Sequence, residues 1–328
     1  MNSKQPIFLL GAHKSGTSLL RSIFDGHKDL FTVPIEAHFF QNLGWWIEYP
    51  FRRNLSKPYS QADFKFNIKN FIRNLNKSED YQADSITKDL FDEILFDEFV
   101  DAHLKNNMPL NEVFFVYVAA IYLSIFKKKL SSEKRIVEKT VENFEFAVDL
   151  SKMFPDAIFF HIVRNPYANL VSLRKYKTKK KGSWIGPIFK ALLNNYYYLE
   201  KNQRVLDNYY VIKYEELVSD PLTIVKSICK SANIEFINSM LNPTFLGKDW
   251  TGNSTYSIKF SGISNDTLHQ WRNQITPLEV DLVNKNFLYL LNRFDYDKFE
   301  IKKSVFWPSK QESIKNYIAN RIYWKIKA

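Results

Sequence analysis

Only one cysteine, Cys229, occurs in 328 residues, so the chain cannot build an internal disulfide framework and is expected in a reducing cytoplasm. No apolar run reaches the ~18–20 residues of a membrane span. The first strand-like run starts almost at once, which leaves no room for a signal-peptide layout and supports the same cytoplasmic expectation. Glycine is scarce, nine residues in all, so a closely spaced glycine pair carries information. Charge of one sign is not spread over the chain either. The net charge is +11, but residues 301–328 hold seven lysines or arginines against a single acid, Glu312. The rest lacks the distributed basic and aromatic surface of a nucleic-acid binder, and no nucleic-acid partner is expected. Hydrophobic residues at 45% and charged residues at 25% are ordinary for a globular chain of this length, and aromatics at 16% are high.

What is present begins with Ile7–Phe24, IFLLGAHKSGTSLLRSIF. Ile7–Leu10 is unbroken and apolar, as a strand covered on both faces would be. Gly11 and Gly16 bracket a loop, and Leu19, Leu20, Ile23 and Phe24 then fall at helical spacing. A strand feeding a helix in this way aims N–H groups and the positive end of the helix dipole at one point, which suits a phosphate. The glycine spacing is that of the nucleotide loop G-x-x-x-x-G-K-S/T, with Ser18 at the hydroxyl position. Thr17, however, stands where the lysine of nucleoside triphosphatases belongs, and a basic residue occurs inside the loop instead, as Lys14. The second apolar strand, Ala157–Val163, ends in Arg164 rather than in an aspartate for Mg²⁺. The loop is expected to hold a phosphate without a metal and without hydrolysing ATP.

Alternating signals for strand and helix extend through the chain. Leu30–Pro34, Arg135–Val137 and Tyr209–Lys213 read as strands, and Phe144–Met153 reads as helix. Asn165-Pro166, Asp220-Pro221 and the capping box Thr276-Pro277-Leu278-Glu279 open further helices. The pattern predicts an α/β fold, a P-loop-type parallel sheet flanked by helices, as a single domain over 1–300. Residues 41–130 lack strand alternation and carry helical stripes, Phe91, Ile94, Leu95, Phe99 and Val113, Tyr117, Ala120, Ile121. They are expected to form a mostly helical insertion over the sheet, and residues 301–328 a basic amphipathic tail.

These motifs resemble the sulfotransferase superfamily, in its bacterial and Golgi-type carbohydrate and protein-tyrosine branch. HKSGTSLL, from His13 to Leu20, is similar to that family's 5′-phosphosulfate loop, and Arg164-Asn165-Pro166 with Ser172 eight residues on is similar to its 3′-phosphate signature. Pro34-Ile35-Glu36-Ala37-His38-Phe39, Glu138-Lys139-Thr140 with Asn143, Lys213–Leu217, Gly252-Asn253-Ser254 and Trp271-Arg272 match further family segments. His13, Asn165 and Val141 depart from the usual residues without removing a charged contact group.

The resemblance implies 3′-phosphoadenosine 5′-phosphosulfate (PAPS) as donor, adenosine 3′,5′-bisphosphate as product, and no metal. It implies that His13, Lys14, Ser15, Gly16, Thr17 and Ser18 hold the 5′ end and Arg164 and Ser172 the 3′-phosphate, with Asn253 and Ser254 as further contacts. Glu36 is the expected general base, with His38 competing, and Lys14 and Lys139 the expected cations at the transferred group. A structural pair between Lys139 and Glu138 is the plainer alternative. The acceptor is a hydroxyl, with a glycan as first candidate. Trp45, Trp46, Tyr49, Phe51 and Tyr59 are either an aromatic platform for sugar rings or packing of the insertion. Lys175, Lys177 and Lys179–Lys181 before Gly182 read as a solvated charge run or as a gate for an anionic acceptor. The tail places Ile314, Tyr317, Ile318, Ile322 and Ile326 on one helical face, fit for an anionic membrane surface, for this domain or for a second subunit through 305–328. A P-loop kinase or nucleoside triphosphatase and a non-catalytic module that binds adenosine bisphosphate or docks on membranes remain the competing functions.

Overall fold

The computed structural model describes residues 4–45, 60–77, 89–178, 185–255 and 258–300. In chain order these form β1 (Ile7–Gly11), α1 (Thr17–Phe24), β2 (Leu30–Thr32), α2 (Phe39–Asn42), α3 (Gln61–Lys77), α4 (Glu93–His103) and α5 (Leu110–Phe126). Next come β3 (Arg135–Glu138), a 3₁₀ segment (Val141–Phe146), α6 (Ala147–Met153), β4 (Ile158–Val163), α7 (Pro166–Thr178), α8 (Ile185–Val205) and β5 (Tyr209–Lys213). After the sheet follow α9 (Tyr214–Ser219), α10 (Pro221–Ala232), a short hairpin of β6 (Thr244–Phe245) and β7 (Lys248–Asp249), α11 (Pro277–Asn286) and α12 (Leu288–Arg293). Among these residues no helix is long and apolar enough to cross a membrane.

The five long-range strands are all parallel and lie in the order β2-β3-β1-β4-β5. Period-two alternation divides the core between the two faces. Phe8 and Leu10 of β1 with Phe159 and Val163 of β4 join one cluster, while Ile7 and Leu9 with Ile158, Phe160 and Ile162 join the other. The first cluster packs under α3, α4, α5, α7 and α8; the second lies under α1, α9 and α10. With both faces covered, the strands read as unbroken apolar runs. The expected strand at Leu30–Pro34 is shorter, because Val33 N makes the last bond, to Val137 O (2.8 Å), and Pro34 has no N–H to continue. The expected helix at Phe144–Met153 begins as 3₁₀ structure and becomes α-helical only at Ala147.

Between β2 and β3 the described residues form helices and connections only, and α5 buries Val113, Tyr117, Ala120 and Ile121 as its stripe requires. The α4 stripe differs. Ile94 is 71% exposed, and Phe96 and Val100 are the buried residues. Its sequence is apolar at overlapping spacings, and charge selects between them. Asp97 and Asp101 turn toward Arg73 and Lys69 of α3, which rolls Ile94 outward. The carboxyl ends of β1 to β5 all open on one edge of the sheet, and chain order reverses around β1, the place where such sheets bind ligands.

Phe8 is fully buried on β1, stacks on Phe159 at 5.6 Å, packs edge-to-face with Phe114 and lies tilted against Phe154. Phe8→Ala is expected to cost about 3–5 kcal/mol in urea unfolding, whereas Phe66→Ser, at a site 67% exposed, should stay within about 0.5 kcal/mol. Similar losses for both would contradict this placement of the core.

Candidate active site

The loop after β1 is held by backbone constraints at three positions. Gly11, Lys14 and Gly16 have φ of 148°, 63° and 110°. At Gly16 a Cβ would sit 2.5 Å from the Tyr214 ring, so both the conformation and the space require glycine. Inside the loop, Ser15 N and Oγ both donate to Ala12 O, at 3.1 and 2.7 Å. Two loop carbonyls are tied toward α7: Arg164 Nη1 donates to Lys14 O (3.0 Å) and Asn169 Nδ2 to His13 O (2.8 Å). Gly16 caps α1 without a side-chain acceptor, and the first-turn N–H groups of Thr17 and Ser18, which have no partner within the helix, suit an anion at this end.

Helix α7 starts as its sequence implies, with Asn165 Oδ1 accepting from Tyr167 N at 3.0 Å. Asn169, Ser172 and Tyr176 follow at i, i+3 and i+7 and share one face. Asn169 ties the loop, Ser172 lines a cavity, and the Tyr176 ring lies 4.4 Å from Lys14 Nζ. This polar row was legible as a helical period but was not read from the sequence beyond Ser172. The cavity, about 80 Å³, is lined by Lys14, Arg164, Ser172, Tyr214, Trp250 and Phe260 among others, including Asn253 and Ser254. Arg164 stacks over Tyr214 at 4.5 Å, and Asn253 Nδ2 donates to Ser18 Oγ at 3.2 Å.

Arg164 Nε, Ser172 Oγ and Trp250 Nε1 are buried here without a hydrogen-bond partner among the described residues. Buried donors without acceptors are costly, so these residues fit a ligand that brings anionic oxygens.

A second cavity, about 50 Å³, is lined by His13, Lys14, Glu36, Lys139, Tyr176 and Asn253, with Thr17 and Ser18. Lys14, Gly16 and Asn253 line both cavities, so the two meet at the loop. Glu36 and Lys139 form an ion pair, Nζ to Oε1 at 2.6 Å, with side chains only 9% and 1% exposed. Lys139 therefore pairs with Glu36 and not with its neighbour Glu138. Adjacent residues at the end of a strand point to opposite sides, and Glu138 instead accepts from Ala37 N, Thr140 Oγ1 and Asn143 Nδ2.

His38 has φ 47° and donates its backbone N–H to Thr140 Oγ1 (3.2 Å). Its ring bridges Glu36 (Nε2 to Oε2, 3.7 Å) and Glu142 (Nδ1 to Oε2, 3.8 Å), and Glu142 also pairs with His13 Nε2 at 3.3 Å. Burial alone would raise the Glu142 carboxyl, but the hydrogen bond from His13 and the neighbouring His13 and His38 rings outweigh it and hold it below the usual carboxylate range. Glu142 falls at the unspecified position of the Glu138–Asn143 segment, and only its proximity in space to His13 and His38 singles it out. Glu36, His38 and Glu142 bring potential ligand atoms within 4.8 Å of one another, and the Lys139 ammonium already provides positive charge on Glu36.

Not every expected residue joins this cluster. Trp45 stacks on Phe40 at 5.7 Å, at the margin of the core. Trp271 stacks on Tyr167 at 5.4 Å and is buried. Trp46, Tyr49, Phe51, Tyr59, Lys179–Lys181, Gly182 and the tail from 301 to 328 lie outside the described residues.

The family model described as "Sulfotransferase family" matches residues 6–238. No curated protein matches the chain. Among solved structures, the sulfotransferase domain from the Synechococcus PCC 7002 olefin synthase is similar at a TM-score of 0.55 and 19% identity, covering 90% of this chain and 98% of that one. The sulfotransferase domain from the curacin biosynthetic pathway is similar at a TM-score of 0.54 and 16% identity, covering 87% and 98%. At these identities the likeness is one of fold.

Beneath the cluster, burial raises the Glu138 carboxyl to about 7, against the hydrogen bonds from Thr140 and Ala37. The native state therefore keeps a proton that the unfolded chain gives up, and stability falls as pH rises from about 4.5 to about 7. Glu138→Gln imitates the protonated acid, with Asn143 turning its amide to match. Urea midpoints should show the variant gaining on the parent chain as pH rises through that window; parallel profiles would contradict a buried, proton-holding Glu138.

Proposed function

The chain belongs to the sulfotransferase family, and on that premise we propose that it transfers the sulfuryl group of PAPS to an acceptor hydroxyl, with a glycan as the acceptor favoured by the branch resemblance. The observation that carries this reading is one crevice with two separate anion ends. Arg164 and Ser172 present unpartnered donors at one end, and the loop, Lys14 and Lys139 gather at the other. That spacing suits a nucleotide carrying a 3′-phosphate as well as a 5′ anion. ATP offers nothing to Arg164 and Ser172, and Thr17 withholds the lysine that ATP chemistry uses.

PAPS supplies a sulfuryl group on a phosphate leaving group. The chain's residues then have defined tasks. Arg164 and Ser172 hold the 3′-phosphate, and the first-turn N–H groups of α1 hold the 5′-phosphate. Glu36 takes the acceptor proton at Oε2, the oxygen not bonded to Lys139. A bond forms between acceptor oxygen and sulfur as the sulfur–oxygen bond to the 5′-phosphate breaks, and the electron pair leaves with the phosphate. Lys14 and Lys139 stabilise the charge moving along that line, a contribution of about 3–4 kcal/mol per donor in comparable sites. His38 faces Glu36 Oε2 from the acceptor side, and Glu142 in turn steadies the His38 ring.

Calorimetric titration with adenosine 3′,5′-bisphosphate, against ATP with Mg²⁺, tests the donor. The bisphosphate should bind much more tightly; preference for ATP would overturn the reading, and tight bisphosphate binding without turnover of PAPS on any acceptor would leave a silent module. Arg164→Ala should weaken the bisphosphate roughly 10- to 100-fold, as loss of a charge-assisted contact does, while adenosine 5′-monophosphate loses far less. Equal losses would remove Arg164 from the 3′-phosphate.

A further inference from the structure

Helix α3 shows three faces with three different fates. Phe64, Ile68, Ile72 and Leu75 are buried in the core. Lys65, Lys69 and Arg73, four residues apart, turn to α4 and pair with Asp101, Asp97 and Glu93. The third face carries Asn67, Asn70 and Asn74 at i, i+3 and i+7, with Phe71 beside them. Asparagine is a poor helix former, and three on one face weaken α3 locally. Asn76 has a structural task, bonding Phe91 N and O, but the side chains of Asn70 and Asn74 make no hydrogen bond among the described residues. They line a cavity of about 540 Å³ together with Asn67, Phe71, Gln41 and His38. Gln41 is only 6% exposed, yet its Oε1 has no partner. His38 closes the end of this cavity nearest the reaction site, with its ring 5.7 Å from Phe71 and Nε2 3.7 Å from Glu36.

We propose that this amide-lined cavity is the acceptor subsite and that it takes an uncharged, polyhydroxylated ligand, a neutral saccharide, whose reacting hydroxyl reaches Glu36 past His38. The proposal rests on the sulfuryl-transfer reading and deepens it, placing the acceptor in this cavity and restricting it to an uncharged saccharide. A primary amide both donates and accepts, as a hydroxyl does, so the two classes of group satisfy each other without net charge. The Phe71 ring, half-buried, offers an apolar surface to the C–H face of a sugar. Among the described residues no lysine, arginine, aspartate or glutamate lines the cavity, and Lys65, Lys69 and Arg73 of α3 are paired with α4. Among the described lining residues a carboxylated or sulfated saccharide would meet only amides and a His38 ring already engaged by Glu36 and Glu142, and a phenol would leave most of the amides unpaired.

The test uses the full chain saturated with adenosine 3′,5′-bisphosphate and four probes: maltotriose, cellotriose, trigalacturonic acid and 4-nitrophenol. Saturation-transfer NMR should show binding of a neutral trisaccharide and not of trigalacturonic acid. Asn70→Ala with Asn74→Ala, changes that favour the helix, should weaken that binding and raise its KM in transfer from PAPS about tenfold or more, as loss of two hydrogen bonds implies, with kcat little changed. Bisphosphate affinity in the same samples separates the two layers of the claim. If the bisphosphate does not bind, the sulfuryl-transfer reading fails and the proposal with it. If it binds but neither neutral trisaccharide does, or the anionic trimer or the phenol is preferred, or the double variant changes binding less than twofold, the acceptor proposal alone is overturned.

Discussion

The buried ion pair between Glu36 and Lys139 constrains everything around it. Each charge would cost several kcal/mol if buried alone, so the connection after β2 must meet the end of β3 closely enough for both to be satisfied. A second layer of bonds holds that meeting in place. Glu138 accepts from Ala37 N, Thr140 accepts from His38 N, and Ala37 O accepts from Tyr117 Oη and Asn42 Nδ2. The helices between β2 and β3 thus do more than cover the sheet: α5 supplies Tyr117, and α2 supplies Asn42. A strained His38, at positive φ, is the outcome of this fixed approach, and its ring is left facing both Glu36 and the amide-lined cavity.

The opposite wall depends on α7. Its N-terminal residues follow a strand end that delivers Arg164, and its polar row then addresses the loop from Asn169 to Tyr176. Arg164 both ties Lys14 O and faces the cavity, so the shape of the loop and the lining of the cavity share one side chain. The helix is in turn braced from behind. Arg174 Nε bonds Glu279 Oε1 at 2.6 Å, and Glu279 is the residue whose other oxygen accepts from Thr276 N at 2.8 Å in the capping box of α11. The two walls meet at Lys14, which lines both cavities, and at Glu142, which contacts His13 from the loop and His38 from the connection after β2.

Much of this was legible in the chain, for local reasons. The strand, loop and helix of Ile7–Phe24 are encoded by contiguous residues, and the Arg164–Ser172 pair by a fixed interval along one strand and helix. Caps at Asn165, Asp220 and Thr276 are short-range devices and stand where the sequence puts them. What escaped depends on neighbours distant in sequence. Lys139 was open to pairing with Glu138 until the strand alternation separated them. The roll of α4 follows from charges on α3, which no periodicity in α4 itself can report. Glu142, Asn169 and the Asn67–Asn70–Asn74 row carry ordinary polar side chains, and only their partners in space give them meaning: His13 and His38 for Glu142, the His13 carbonyl for Asn169, and a shared cavity for the three asparagines.

The most direct test is a double-substitution cycle on Glu36 and Lys139, read as the single-turnover rate of sulfuryl transfer from PAPS at saturating acceptor. Glu36→Gln and Lys139→Met should each slow transfer by about 100-fold or more, since each removes a group from the reacting line and leaves its partner's charge buried. The two acting as one unit make the double variant no more than about threefold slower than the worse single variant, and more stable than either. Multiplying effects, or a Glu36→Gln variant that transfers at the parent rate, would contradict a reaction centred on this pair.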